Sequence, residues 1–300
     1  LDKINAPVFD FRSPNFTALY KQKRPNLVLS VIGNFSQSFI FRKSILFVKS
    51  KIEEYRPEAV INFYEMITGV AFRTYRFDKK LNVQLISIAH QYMLLNPKYK
   101  TTSEQDIKYY FLRMITKVTC QCSSKILALS FRDMPGSIEK NLVVVPPLLR
   151  QEVFENEPTD GDYIHGYMIN TGYYEEVLDW HTKNPHVPLR FFWDKKDADE
   201  VTAIDENLML YRINDNLFLK SMAGCMAYST TSGFESVCEA LYYKKPILMI
   251  PVHVEQEFNA YDASLSGAGI SSTKFKLNKL LNFIPHYRPD ENFRDWVHQA

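Results

Sequence analysis

Three hundred residues with 46% apolar side chains are enough for two domains of ordinary size, each with its own core, and exclude a disordered chain. The formal charge of +2 lacks the excess that would make nucleic acid a partner, and no run approaches the roughly 18 to 20 apolar residues that cross a bilayer. Cys120, Cys122, Cys225 and Cys238 fall in or beside apolar segments, Cys120-x-Cys122 fits neither a zinc knuckle nor a redox pair, and all four read as reduced thiols of a cytoplasmic chain.

From the N-terminus, Leu-Asp-Lys-Ile-Asn-Ala-Pro reads like the close of a helix before a strand at residues 8–11, and because Leu1 is not a methionine a further segment is expected upstream. Residues 14–55 carry Phe35, Phe39, Ile40, Ile45, Leu46, Val48 and Ile52 roughly at helical spacing, which predicts one or two helices. Within them, residues 39–49 mix large apolar and cationic groups. A core-facing helix with snorkelling lysines explains that mixture, and an interfacial helix in peripheral contact with a membrane is the alternative. Strands are predicted at 59–63 and 83–89, each opening a βα unit of a parallel sheet. Groups just past strand ends line the crevice of such a sheet, so Glu65, His90 and Gln91 face the place where a ligand is expected. A helix from 104 to about 119 and strands at 125–129 and 142–145 complete the first domain. Pro146-Pro147 ends the sheet, residues 148–162 read as a linker, and the boundary is placed at residue 150, giving domains 1–149 and 150–300.

The second domain opens with a strand at 163–170, then Thr171-Gly172-Tyr173 and a helix to about 183. Gly172 permits close backbone approach to a phosphate. A strand at 189–193 precedes a charged loop at 194–200, and a strand at 208–212 precedes Ile213, Asn214 and a helix to about 224. Asp160-Gly161-Asp162 and Asp197-Ala198-Asp199 have the spacing of a metal-binding pair but read as solvated loop acids, so no metal site is expected.

Residues 227–270 hold the densest pattern. A strand at 226–228 breaks into Ser229, Thr230, Thr231, Ser232 and Gly233 before a helix from about 234 to 243. That order puts unpaired N–H groups and the positive end of a helix dipole at the carboxyl edge of a strand, a site suited to phosphate. Glu239 lies one and a half turns further on, where its carboxylate reaches outward from the same mouth. Lys244, Lys245 and Pro246 end the helix, and a second strand at 247–251 leads to His253, Glu255 and Gln256 and a helix containing Asn259. Helices at 277–283 and 292–298 close the chain.

The array Ser232-Gly233-Phe234-Glu235-Ser236-Val237-Cys238-Glu239-Ala240-Leu241, with Lys245-Pro246, Pro251, Glu255-Gln256 and Asn259-Ala260, resembles the nucleotide-sugar signature of GT-B glycosyltransferases. It is similar to the UDP-glucuronosyl and plant UDP-glycosyltransferases, the N-acetylglucosaminyltransferase of peptidoglycan synthesis and, most of all, bacterial glycosyltransferase-like proteins of that superfamily. The resemblance implies an α/β fold of two Rossmann-like domains facing a cleft, the first lacking its N-terminal βαβ segment. It implies that Glu239 accepts hydrogen bonds from ribose hydroxyls, that Ser232, Gly233 and Ser236 meet the diphosphate, and that Glu255 and Gln256 bind sugar hydroxyls with Asn259 bracing their loop. It also places Arg212, Ile213 and Asn214 against the uracil. Two departures stand out: Thr231 occupies the position of a plant-enzyme histidine, and Glu255 that of an aspartate. Retaining enzymes of this fold place a second glutamate where Thr231 stands, so inversion is expected.

The resemblance therefore implies a metal-independent, inverting transfer of sugar from a UDP-sugar, with no cofactor, in bacterial glycan or envelope synthesis. Lipid-linked sugar, polyol phosphate and glycan stay open as acceptors. The expected location is the cytoplasm or the inner face of the cell membrane. The general base is His90, Glu65 or a histidine upstream of Leu1, and without that upstream segment the chain is expected to be inactive. A UDP-sugar 2-epimerase and a non-catalytic nucleotide-sugar-binding protein are the alternatives.

Overall fold

A computed structural model describes residues 6–14, 38–78, 82–100, 107–168, 171–195 and 197–300. They divide into two compact units, the first reaching Ala128 and including Pro135–Val143, the second comprising Leu129–Met134 and Val144–Ala300.

Unit 1 is built on a four-stranded sheet in the order β1-β2-β3-β4. Helix α1 (Ser38–Tyr55) precedes strand β1 (Ala59–Asn62), helix α2 (Met66–Asp78) and strand β2 (Gln84–Ala89). A 3-10 turn (His90–Leu95), helix α3 (Ile107–Thr119), strand β3 (Lys125–Leu129) and strand β4 (Leu142–Val145) come next. Strands β1, β2 and β3 run parallel, with Ile61 opposite Ile86 and Ile88 opposite Leu127. Parallel neighbours need a crossover, and helices α2 and α3 supply it. Ile52 of α1, Phe72 of α2 and Leu85 of β2 meet in the core with Val48 and Val60 packed around them. Gly69 lets α2 approach α3 backbone to backbone, since a Cβ there would lie 2.4 Å from the Val118 carbonyl oxygen.

Unit 2 carries a seven-stranded sheet in the order β11-β10-β9-β5-β6-β8-β7. After helix α4 (Gln151–Phe154) come strand β5 (Ile164–Met168), a 3-10 turn (Thr171–Tyr173), helix α5 (Tyr174–Lys183) and strand β6 (Leu189–Trp193). Strands β7 (Val201–Ala203) and β8 (Leu208–Arg212), helix α6 (Asp215–Ala223), strand β9 (Ala227–Thr230) and helix α7 (Phe234–Tyr242) continue the chain. Strand β10 (Ile247–Met249), helix α8 (Val254–Leu265), strand β11 (Gly269–Ser271), helix α9 (Leu277–Phe283) and helix α10 (Asn292–Val297) complete it. All the pairings are parallel except that of β7 on β8. Strands buried on both faces read as apolar runs, and Ile164, Met168, Leu189, Phe191, Leu208, Leu210 and Ala227 form one core. The expected α/β class of two Rossmann-like units is what the chain adopts.

Several local expectations need correction. Residues 8–11 form no strand: the Phe9 ring lies 6.1 Å from Phe47 and 6.2 Å from Tyr55, so this segment is held by side chains of α1 rather than by a ladder. The strand expected at 226–228 runs on through Ser229 and Thr230, which pair with β10. The loop after β6 yields an edge strand, β7, that composition hid because its residues alternate between exposed and half-buried. Short β11 went unread for the same lack of an apolar run. The expected linker contains α4, whose Val153 is fully buried and accepts a hydrogen bond from Tyr243 Oη at 3.1 Å. Much of the helical expectation at 14–55 and the start of the helix at 104 lie outside the described residues. No helix among the described residues is long and apolar enough to cross a membrane.

Candidate functional site

The chain leaves β5 in one direction, through β6 to β8, and returns on its other side as β9, β10 and β11. The order therefore reverses between β5 and β9, and in an open parallel sheet ligands bind outside the carboxyl ends of the strands at such a switch point. Gly172 follows β5, Arg212 ends β8 with Ile213 next, Thr231 to Ser236 follow β9, and His253 to Asn259 follow β10. The topology thus gathers the expected nucleotide-sugar residues at one edge of the sheet.

The turn from β9 into α7 departs from ordinary packing. Ser232 takes a left-handed φ of 68°, a conformation that costs a non-glycine residue about 1 kcal/mol or more. Gly233 is the N-cap residue of α7 and has no side chain to satisfy the first N–H groups, so those donors stay directed out of the helix end. A Cβ built on Gly233 would meet only Ser236 Oγ, at 3.6 Å, so open space lies over this backbone. Around the turn, Ser229 Oγ, Thr231 Oγ1, Ser232 Oγ and Asn259 Oδ1 are buried and have no hydrogen-bond partner among the described residues. Buried polar atoms are almost always satisfied, and a cluster of unsatisfied hydroxyls beside an uncapped helix end is what an oxyanion ligand would complete.

Asn259 fixes α8 to this turn, its Nδ2 donating to the Ser232 carbonyl at 3.1 Å. Gln256 turns inward, its Oε1 accepting from the Val252 N–H at 2.9 Å, and so closes its own loop. His253 is the N-cap residue of α8, half-buried, and burial holds its pKa below the usual histidine range against the pull of Glu255 and Glu257. Ser236 Oγ donates to the Gly233 carbonyl at 3.2 Å. Arg212 pairs with Glu200 at 3.5 Å, Ile213 is partly exposed, and Asn214 is the side-chain cap of α6, accepting from Leu217 N–H at 3.0 Å.

Glu239 is buried at 2% exposure, and its Oε1 accepts from Arg150 Nε and NH2, both at 2.7 Å. Burial raises its pKa to about 7, and Arg150 opposes that rise. Both arginine contacts use the same oxygen, which leaves Oε2 for a further donor. Arg150, which also lies 3.3 Å from Asp215, escaped the sequence reading because a lone arginine in a proline-bounded segment looks like a linker residue. The Pro146-Pro147 stop just before it was the available signal: a stiff approach sets the position of the next side chain.

In unit 1, His90 is buried at the head of the 3-10 turn that follows β2. Glu65 follows β1 and acts as a helix cap: its Oε2 accepts from Thr68 N–H at 2.7 Å and its Oε1 from Ser13 Oγ. No group of three or more histidine, cysteine or carboxylate side chains able to hold a metal ion occurs among the described residues.

Two Rossmann-like units, the second with its polar groups at the switch point, define the GT-B fold of the glycosyltransferase superfamily. Residues 8–287 match the model of Glycosyl transferase family 1, and the chain belongs to that family. Among solved structures it is similar to the glycotransferase of kitacinnamycin, at 14% identity over 88% of this chain and 77% of that one, with a TM-score of 0.57. UGT2 of Phytolacca americana, complexed with UDP-2fluoro-glucose and pterostilbene, is similar at 11% identity over 88% and 74% of the two chains, with a TM-score of 0.56. The S. aureus MnaA–UDP co-structure gives 12% identity, 88% and 76% coverage and a TM-score of 0.54. At these identities the likeness concerns the fold. No curated protein matches the sequence.

Proposed function

We propose that this protein is a metal-independent glycosyltransferase that moves a sugar from a UDP-sugar to a hydroxyl acceptor, with inversion at the anomeric carbon, in bacterial glycan or envelope synthesis. One observation carries the reading: a single nine-residue helix, α7, joins an uncapped N-terminus edged by unsatisfied buried hydroxyls to a buried carboxylate further along. A diphosphate suits the first feature and a ribose the second. That related folds have been solved with UDP or UDP-2fluoro-glucose bound supports the choice of nucleotide.

In this reading unit 2 holds the donor and unit 1 the acceptor. The N–H groups at the head of α7, with the hydroxyls of Thr231 and Ser232, carry the charge that develops on the departing UDP as the bond from the anomeric carbon to the phosphate oxygen breaks. Glu239 Oε2 receives a ribose hydroxyl, with Arg150 favouring the ionised carboxylate against the effect of burial. Glu255 and His253, at the head of α8, face the sugar, and Gln256 and Asn259 hold that loop in place. Arg212, Ile213 and Gly172 border the base and the phosphate. The acceptor hydroxyl attacks the face opposite the leaving group and gives its proton to a base, for which His90 and Glu65 are the assigned candidates. Glu65 first has to release Ser13 and the Thr68 N–H before it can take that proton.

Calorimetric titration with UDP tests the site. Glu239→Gln keeps the shape and removes the charge-assisted acceptor, and should weaken UDP binding by about 2 kcal/mol, roughly thirtyfold. Unchanged affinity on folded protein would remove the assignment. Incubating UDP-N-acetylglucosamine without acceptor separates the second reading, since only a 2-epimerase should produce the manno isomer.

A further inference from the structure

Unit 2 has a second concave site, lined by none of the residues placed at the switch point. A cavity of about 340 Å³ opens between α5 and the segment that runs from β11 into α9, and four lysines line it: Lys183, Lys274, Lys276 and Lys279. Its walls are braced rather than loose. The Phe275 N–H donates to Glu176 Oε2 at 3.2 Å, and Trp180 Nε1 donates to Asn278 Oδ1 at 3.2 Å, so α5 is tied to the opposite wall at two points. Phe275 alternates inward between Lys274 and Lys276, its ring 5.5 Å from Tyr173 and 5.7 Å from Phe191, which leaves both lysines pointing outward. Lys279 follows Lys276 by three positions and so shares its side of the chain at the start of α9.

The only acids lining the cavity are Glu176 and Asp179, so the four ammonium groups leave it net positive by two. Among the described residues none of the four lysines forms an ion pair. An excess of two positive charges around one hollow favours an anion that comes to it. The indole edge of Trp180 and the apolar floor beside it, with Asn278 and Asp179 at hand, suit a hydroxylated carbon skeleton attached to that anion.

We propose that this cavity binds a polyol phosphate, an anionic phosphate ester carrying hydroxyl groups, either free in solution or as the headgroup of a membrane lipid. The proposal does not rest on the function assigned to the switch point. The lysines supply charge, Asn278 and Asp179 pair with hydroxyls, and the preformed walls fix the orientation.

The test uses the full chain with its lysines labelled by reductive ¹³C-methylation, each signal assigned by a single Lys→Arg substitution. Glycerol phosphate should shift the signals of Lys183, Lys274, Lys276 and Lys279 saturably, while other surface lysines drift without saturation. The triple variant Lys274→Gln, Lys276→Gln, Lys279→Gln should weaken that binding by roughly tenfold or more. It should leave the near-ultraviolet circular dichroism and the UDP affinity unchanged, because its exposed side chains lie outside the switch-point site. Co-sedimentation with phosphatidylglycerol vesicles, against phosphatidylcholine vesicles, then identifies the source. Retention on the first that is lost in the triple variant assigns the lipid headgroup, and saturable glycerol phosphate binding without retention assigns the soluble ester. If the four signals move no more than those of other lysines, or the triple variant binds as tightly as the parent, the site is not there. UDP affinity reports separately on the switch point, so either assignment can fail alone.

Discussion

Glu239 is an acid that the fold keeps out of water beside a single guanidinium, and the balance of those two influences has a measurable sign. Its pKa rises from the ordinary 4.5 to about 7, so between those values the folded chain holds a proton that the unfolded chain has released. Stability therefore falls as pH rises through that window, by at most about 3 kcal/mol relative to Glu239→Gln, which lacks the titration. Denaturant unfolding of both proteins at pH 4.5 and pH 8 measures the difference, and parallel curves would contradict it. Ribose hydroxyls donate to the ionised carboxylate and should lower its pKa, so UDP binding should release protons and tighten as pH rises through 7. Arg150→Met should act in the opposite direction. It leaves a buried carboxylate without its cation and should cost about 2 kcal/mol at pH 8, with little cost at pH 5, where Glu239 takes up a proton. The glutamate was legible from its place in a signature, whereas the arginine lies 89 positions away in sequence and only the folded chain joins the two.

At the scale of elements, the glycines of unit 2 separate packing from binding. A Cβ at Gly166 in β5 would fall 2.3 Å from the Phe191 ring, so Gly166→Ala should destabilise the sheet by about 1–3 kcal/mol and lower the melting temperature. Gly233→Ala should not, because its φ of −64° suits alanine and the added methyl meets only Ser236 Oγ, at 3.6 Å. That methyl enters the open space above the helix end, so UDP affinity should fall at least tenfold, by about 1.4 kcal/mol or more, while the melting temperature holds. A melting temperature that fell with the affinity would make Gly233 a packing residue instead. Helices and central strands were legible because apolar periodicity and glycine or proline stops mark them, as with β6 and β8. Edge strands β7 and β11 were not, since three half-exposed residues on a sheet margin carry no pattern of their own. The segment at 8–11 misled for a related reason: alternating aromatic residues look like a strand whether they pair in a ladder or cover a helix.

For the molecule as a whole, the proposed chemistry puts the leaving-group charge on main-chain amides and hydroxyls, so sugar transfer should survive exhaustive treatment with EDTA. Loss of turnover that added magnesium or manganese restored would require a metal in its place. Composition and βα periodicity sufficed for two domains of parallel βα units and for the turn-then-helix order near residue 233, because these depend on local order along the chain, whereas the two Rossmann-like units followed from the resemblance of residues 232–260 to a family signature. Which strand lies beside which, where the order reverses, and that Arg150 reaches Glu239 depend on pairings between distant residues. Such contacts leave no local trace, since the free energy that selects them comes from burying apolar surface common to the whole core.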